Sequence, residues 1–228
     1  MRTAIVTGGS SGIGAAICQR FLDEGWRVIS VSRRHPELAG VHHVAIDLAQ
    51  PDWCASRLET CLGDHSGPLT LVHNAAAFSH DKADAVDAAY LESAFRLMVA
   101  SPAKLNQLLA PRLVPDSSIL YLGSTLADIA VPGAFSYSAL KHATIGMMRA
   151  TQQDFSGRSV HSCCICPGVT ATPMVVANTA IDETFLRERV SFGRLVEPTE
   201  IASLAYFCAV SPSLNGAVLH ANLGQINR

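Results

Sequence analysis

The chain has 228 residues, 49% hydrophobic and 16% charged, with a net charge of −2. That is enough apolar material for a substantial core, and the charge balance gives no electrostatic case for nucleic acid. No apolar run is long enough for a membrane span, and the chain opens straight into a strand-like run without a leader pattern, so a cytoplasmic protein is expected.

Short apolar, β-branched runs alternate with helical patterns, which predicts an α/β fold with a doubly wound parallel sheet of about seven strands. The first strand, 2–7, runs directly into Gly8, Gly9, Ser10, Ser11, Gly12, Ile13 and Gly14, and a helix follows over 12–24. The second strand, 27–32, ends in Ser32, Arg33 and Arg34. Only about nine residues separate it from a third strand at 42–46, too few for a full crossover helix. Asp47 and Leu48 come next, then a helix over 51–62, a strand over 69–73 and the run Asn74-Ala75-Ala76. A long helix is expected over 87–110, a strand over 117–123, a helix over 135–155 and a strand over 160–166. A shorter helix within 177–191, a helix over 198–209 and a strand over 216–221 complete the chain. No linker, charge block or repeat divides it, so 1–228 is read as one domain with a short cover segment around 173–194.

Two stretches carry chemistry. Strand, glycine turn and helix in succession let backbone approach a pyrophosphate closely and aim a helix N-terminus at it. The spacing here is Gly-x-x-x-Gly-x-Gly rather than the usual dinucleotide fingerprint, and such a turn also serves to tighten a corner. The second stretch holds Ser124, Tyr137 and Lys141. Tyr137 precedes Lys141 by four residues, so the two share one helix face. A phenol is a poor acid or base near neutrality, and a neighbouring ammonium favours its ionised form. Ser124, at a strand end, would reach the same point and bond a carbonyl or hydroxyl oxygen. The seven cysteines include Cys163, Cys164 and Cys166. No Cys/His spacing suits zinc, so these three read as small core residues of a buried strand, and no metal is expected.

Together these motifs resemble the short-chain dehydrogenase/reductase (SDR) family in its classical form, over nearly the whole chain. The resemblance implies that Thr7-Gly8 through Gly14 form the cofactor turn, that Asp47 and Leu48 contact the adenine, and that Asn74-Ala75 matches the family's Asn-Ala-Gly element. It places Ser124, Tyr137 and Lys141 on the catalytic positions. Pro167, Val169 and Thr172 fall on the segment that holds the nicotinamide. Tyr137 would exchange the proton, Lys141 would hold the nicotinamide ribose as well, and Ser124 would polarise the substrate oxygen. The expected activity is hydride transfer between a nicotinamide cofactor and a small carbonyl or alcohol.

An acidic residue commonly binds the ribose 2′-hydroxyl at the end of the second strand, and Ser32 stands there instead. With Arg33 and Arg34 beside it, a 2′-phosphate is better served, because guanidinium forms forked bonds to phosphate. NADP(H) is therefore favoured, and NAD(H) stays open. The pocket wall is read as Thr125, Leu126, Ala127, Phe135, Val169 and the segment after Pro173, mostly apolar, which favours a neutral substrate. A homodimer or homotetramer built on the helices at 87–110 and 135–155 is implied by resemblance, and the apolar 138–150 run would allow it.

The chain departs from the family at Met98, where most members carry an Asn that holds a water linked to the Lys. Met has no donor and only a weak acceptor. Asn106 lies eight residues on, roughly 12 Å along a helix, and is no evident substitute. A weakly catalytic or non-catalytic cofactor-binding regulator is thus the alternative to an active enzyme.

Overall fold

The computed structural model describes residues 1–176 and 182–225. Seven strands are present: β1 (Thr3–Thr7), β2 (Arg27–Ser32), β3 (Val41–Ala45), β4 (Leu69–His73), β5 (Ser118–Leu122), β6 (His161–Pro167) and β7 (Val218–Ala221). They form one parallel sheet in the order β3-β2-β1-β4-β5-β6-β7. Every residue of β1, β4, β5 and β6 is buried, which is why these strands read as near-continuous apolar runs.

Alternate side chains of each strand go to opposite layers. Ala4, Val6, Leu120 and Ile165 pack with Ile17, Phe21, Ile201 and Ala205. The latter belong to α1 (Gly12–Asp23) and, at the far end of the chain, to the helix Pro198–Ala209. Ile5, Leu71 and Ile119 face the other way, toward Leu58, Leu105, Ile145 and Met148. These come from α2 (Ser56–Leu62), α4 (Ser101–Leu109) and α5 (Phe135–Asp154), with α3 (Ala88–Phe95) preceding α4. The remaining helices are α6 (Pro173–Val176), α7 (Glu183–Arg189) and α8 (Pro198–Ala209). Among the described residues no helix is long and apolar enough to cross a membrane.

The crossover from β2 to β3 holds no helix, as its length requires; Leu38 packs into the α1–α8 layer in its place. Other expectations need correction. The helix expected over 87–110 is broken by a five-residue π turn, Arg96–Ala100, in which the Ser101 N–H reaches back to the Arg96 carbonyl. Pro102 explains it: proline lacks the N–H that would bond the Met98 carbonyl, and its ring would strike that carbonyl. The helix expected over 51–62 begins only at Ser56. Trp53 is pulled out of it, since its indole N–H donates to Ser101 Oγ at 2.8 Å and Lys104 Nζ donates to its carbonyl at 3.1 Å. The third strand starts one residue early, at Val41, and the last strand two residues late, at Val218. The helix placed within 177–191 is α7, and positions 177–181 lie outside the described residues. Cys163, Cys164 and Cys166 are fully buried in β6, where a core reading puts them.

The outer face of α5 also differs from expectation. Leu140, Ile145 and Met148 turn inward, so the exposed positions are chiefly Ala139, His142, Gly146, Arg149 and Ala150, with Phe135 at the start. An amphipathic helix turns its polar and small residues outward, here His142 and Arg149 among alanine and glycine, and Phe135 is the one large apolar side chain among these exposed positions.

Candidate active site

β1 pairs with β2 on one side and β4 on the other, so the connections leave β1 and β4 in opposite directions and open a crevice at their C-terminal ends. The two strand ends are stitched together there. Thr7 Oγ1 accepts from the N–H groups of Asn74 at 2.9 Å and Ala75 at 3.0 Å, and donates to the Val72 carbonyl at 3.3 Å. Asn74 Nδ2 donates to the Thr7 carbonyl at 2.9 Å. Thr7, the first residue of the glycine motif, thus ties β1 to β4, a role that only the fold reveals.

The glycine turn is shaped for close approach. Gly8 and Gly12 have φ of 70° and 53°, in the left-handed region where side chains are strained. A Cβ on Gly14 would stand 2.2 Å from the Gly8 carbonyl oxygen and 2.5 Å from Asn74 Nδ2. Ser11, at the N-cap of α1, makes no side-chain cap, so the helix N-terminus keeps its polar groups for something else. Across the crevice, Thr172 and Pro173 stand against Gly12.

One cavity of about 580 Å³ follows this crevice. It brings together Gly8, Ser10, Ser11, Gly12, Ile13, Gly14, Ser32, Arg33, Arg34, Asp47, Leu48, Asn74 and Ala75 with Ser124, Tyr137, Lys141, Pro167 and Thr172. Val169 does not line it; its carbonyl is engaged by the Val196 N–H at 2.9 Å, and Gly168 and Thr170 face the cavity on either side. Thr125, Leu126, Ala127 and Phe135, expected in the wall, are absent from it as well. Thr125 and Ala127 are buried in a 3₁₀ turn, and Phe135 faces a second hollow with Val131 and Pro132. Tyr90, Ser93 and Leu97 take up that wall. They are spaced three and four residues apart, but only the packed helix shows which face they share.

At the end of the cavity that holds Ser124, Tyr137 and Lys141, Ser124 Oγ accepts the Leu126 N–H at 3.1 Å, which orients the hydroxyl and leaves its proton to donate. Lys141 is 4% exposed, donates to the Leu122 carbonyl at 2.7 Å and sits 5.4 Å from the centre of the Tyr137 ring. Burial holds the Tyr90 phenol above its ordinary pKa, helped by Asp81 and Tyr137 nearby. Met98 is buried with Ala94 and Leu140 in the cluster that backs Tyr137. Asn106 is committed elsewhere: Oδ1 lies 2.8 Å from His73 Nε2, and Nδ2 donates to the Tyr121 hydroxyl at 2.6 Å.

At the other end, Ser32 is 6% exposed, with its hydroxyl donated to the Arg34 carbonyl at 2.8 Å and in contact with Ser30 Oγ at 3.0 Å. The Ser32 proton is therefore spent on the turn. The Arg33 and Arg34 side chains are exposed, and among the described residues neither forms an ion pair.

A family model of the short chain dehydrogenases matches residues 2–182. Acetoacetyl-CoA reductase of Shinella zoogloeoides is 31% identical over 245 residues, covering 98% of this chain and 98% of its own. Ligand-free aldohexose dehydrogenase of Thermoplasma acidophilum is similar in structure, with a TM-score of 0.88 at 27% identity, covering 98% of this chain and 93% of its own. A blue fluorescent protein from a metagenomic library, solved with NADPH, has a TM-score of 0.88 at 25% identity, over 98% of this chain and 97% of its own.

Proposed function

The chain belongs to the short-chain dehydrogenase/reductase family, and from that premise we propose that it is an NADP(H)-dependent oxidoreductase interconverting a small neutral carbonyl compound and its alcohol. The observation that carries this reading is one cavity shared by the glycine turn, the exposed Arg33 and Arg34, and the Ser124, Tyr137 and Lys141 trio. A reductase of acetoacetyl-CoA and a dehydrogenase of aldohexose among its relatives support the carbonyl/alcohol class, and the NADPH complex of a third supports the cofactor.

A nicotinamide dinucleotide, when bound, supplies the hydride. The residues present fit such a group: a cradle that a Cβ would fill at Gly14, an uncapped helix N-terminus beside it, and guanidinium groups at the end of β2. Gly8 through Gly14 bind its pyrophosphate by backbone and dipole. Arg33 and Arg34 take the 2′-phosphate, since Ser32 has no proton to offer it. Lys141 spends one donor on Leu122 and has two left for ribose hydroxyls. Ser124 donates to the substrate oxygen and Tyr137 gives that oxygen its proton, or takes it back in the reverse direction. Among the described residues around the reacting end, Lys141 is the only cation lining the cavity, which supports a neutral substrate. Pairing of copies through the outer face of α5, giving a homodimer or homotetramer, belongs to the same reading, and light scattering on the purified protein measures it.

The test is titration with NADPH and with NADH, followed by nicotinamide fluorescence, on the wild type and Arg33→Ala. NADPH binds more tightly to the wild type, and the variant loses about tenfold of that preference, one charge-assisted contact's worth. Binding of neither dinucleotide overturns the oxidoreductase reading; equal binding of both overturns the 2′-phosphate assignment alone.

A further inference from the structure

Tyr137 sits in the first turn of α5, the part of a helix that frays first, and the N-cap residue Ala134 has no side chain to hold that turn. The hold comes from 55 positions upstream. The Asp81 carboxylate, in the loop after β4, accepts the Ser136 N–H at 3.0 Å through Oδ1 and at 3.3 Å through Oδ2, and also accepts the Ser136 hydroxyl. Asp81 backbone pairs with the same turn, its N–H donating to Gly133 at 3.2 Å and its carbonyl accepting from Phe135 at 3.4 Å. Asp81 is 8% exposed and Ser136 fully buried, so water does not compete for these bonds. The same loop touches Tyr137 itself: the Phe78 ring meets the Tyr137 ring edge-on, with centroids 5.2 Å apart.

From this geometry we infer that Asp81 is a positioning residue for Tyr137, fixing the phenol against Ser124 by capping the helix turn that carries it. The inference rests on the oxidoreductase reading. A carboxylate at a helix N-terminus is favoured by the dipole as well as by its hydrogen bonds. Lys141 lies one turn further on and is anchored independently to Leu122. Loss of the Asp81 cap therefore displaces the acid/base group while the cofactor-holding lysine and the glycine turn stay in place. Placement of a reacting group to within about 1 Å governs rate steeply, up to about 100-fold.

The experiment compares wild type, Asp81→Ala, Asp81→Asn and Ser136→Ala. Expected for Asp81→Ala is a fall in kcat of about 10- to 100-fold with the dissociation constant for NADPH unchanged within twofold. Asp81→Asn can still accept the Ser136 N–H, and its amide can donate to the hydroxyl, so it recovers most of the lost rate; Ser136→Ala falls between. The chain has four tyrosines, so the ring-carbon NMR spectrum of ¹³C-tyrosine protein is simple, with Tyr137 identified by its absence in Tyr137→Phe. In Asp81→Ala the Tyr137 signal shifts or broadens while that of Tyr121, bonded to Asn106 and Thr151, stays put. An unmoved Tyr137 signal overturns the inference, as does Asp81→Asn as impaired as Asp81→Ala, which would assign the effect to charge and not to position. If the wild type reduces no carbonyl the activity reading fails, and the NMR comparison still decides whether Asp81 holds Tyr137.

Discussion

Gly14→Ala probes the glycine turn without adding or removing any polar group. The added methyl would lie 2.2 Å from the Gly8 carbonyl oxygen, against ordinary contact from 3.4 Å, so turn and helix must part by about 1.2 Å. The obstacle is backbone, which cannot swing aside as a side chain does. Overpacking of this kind costs about 1–3 kcal/mol. The methyl also stands 2.5 Å from Asn74 Nδ2, whose bonds to the Thr7 and Gly8 carbonyls, 2.9 and 3.4 Å, are strained or lost. Those two bonds are worth about 1 kcal/mol each. Alanine's better helix propensity returns about 1 kcal/mol. The balance is a loss of about 2–4 kcal/mol, a fall in Tm of about 4–16 °C for a chain of this size. NADPH affinity drops by at least about tenfold, because the backbone that meets the pyrophosphate has moved. Calorimetry and the fluorescence titration read the two effects. Gly146→Ala, read on protein that light scattering shows to be monomeric, is the control: nothing in the chain lies within 4 Å of its Cβ, so it gains the propensity term alone and Tm rises by about 2–4 °C. A Gly14→Ala protein with Tm within 2 °C of wild type, roughly 1 kcal/mol at most, and unaltered affinity would refute the reasoning.

Tyr137→Phe removes the hydroxyl proposed to carry the proton and keeps the ring packed against Phe78. We expect kcat to fall by about 10²–10⁴ with NADPH affinity and Tm unchanged, measured by steady-state kinetics on the best carbonyl found. His73 yields a stability test in pH. Burial pushes its pKa down from 6.5 to about 4, against a smaller opposing effect of its bond to Asn106. Between those values the unfolded chain binds more protons than the folded one, so stability from this group is complete above pH 6.5 and is lost as pH falls toward 4, about 3 kcal/mol in all. Urea unfolding of wild type and His73→Gln at pH 7 and pH 4.5 measures it. The glutamine amide can still donate to Asn106, so the variant should show a shallower pH dependence; equal slopes in the two proteins would remove His73 as the source.

What the sequence determined by itself is what depends on local pattern and spacing. Buried parallel strands need apolar β-branched runs, a tight turn needs its glycines, and two residues four apart on a helix must share a face; hence the succession of strands and helices, the glycine turn and the Tyr137–Lys141 pair were all legible in the chain. Tertiary structure decided whatever depends on which surfaces meet. The 87–110 run reads as one helix; the π turn appears where Pro102 removes a backbone bond, with Met98 inside it packed behind Tyr137 and Leu105 beyond it in the layer of Ile145 and Met148. Val169 follows Pro167 in the motif, yet the bond from Val196 claims its carbonyl and leaves Gly168 and Thr170 facing the cavity. Ser32 is a serine in either description, and only the fold spends its proton on Arg34. Asp81 bears no local mark at all. Its partner is 55 residues away, and a hydrogen bond between segments so distant in the chain exists only once the sheet has brought the end of β4 beside the start of α5.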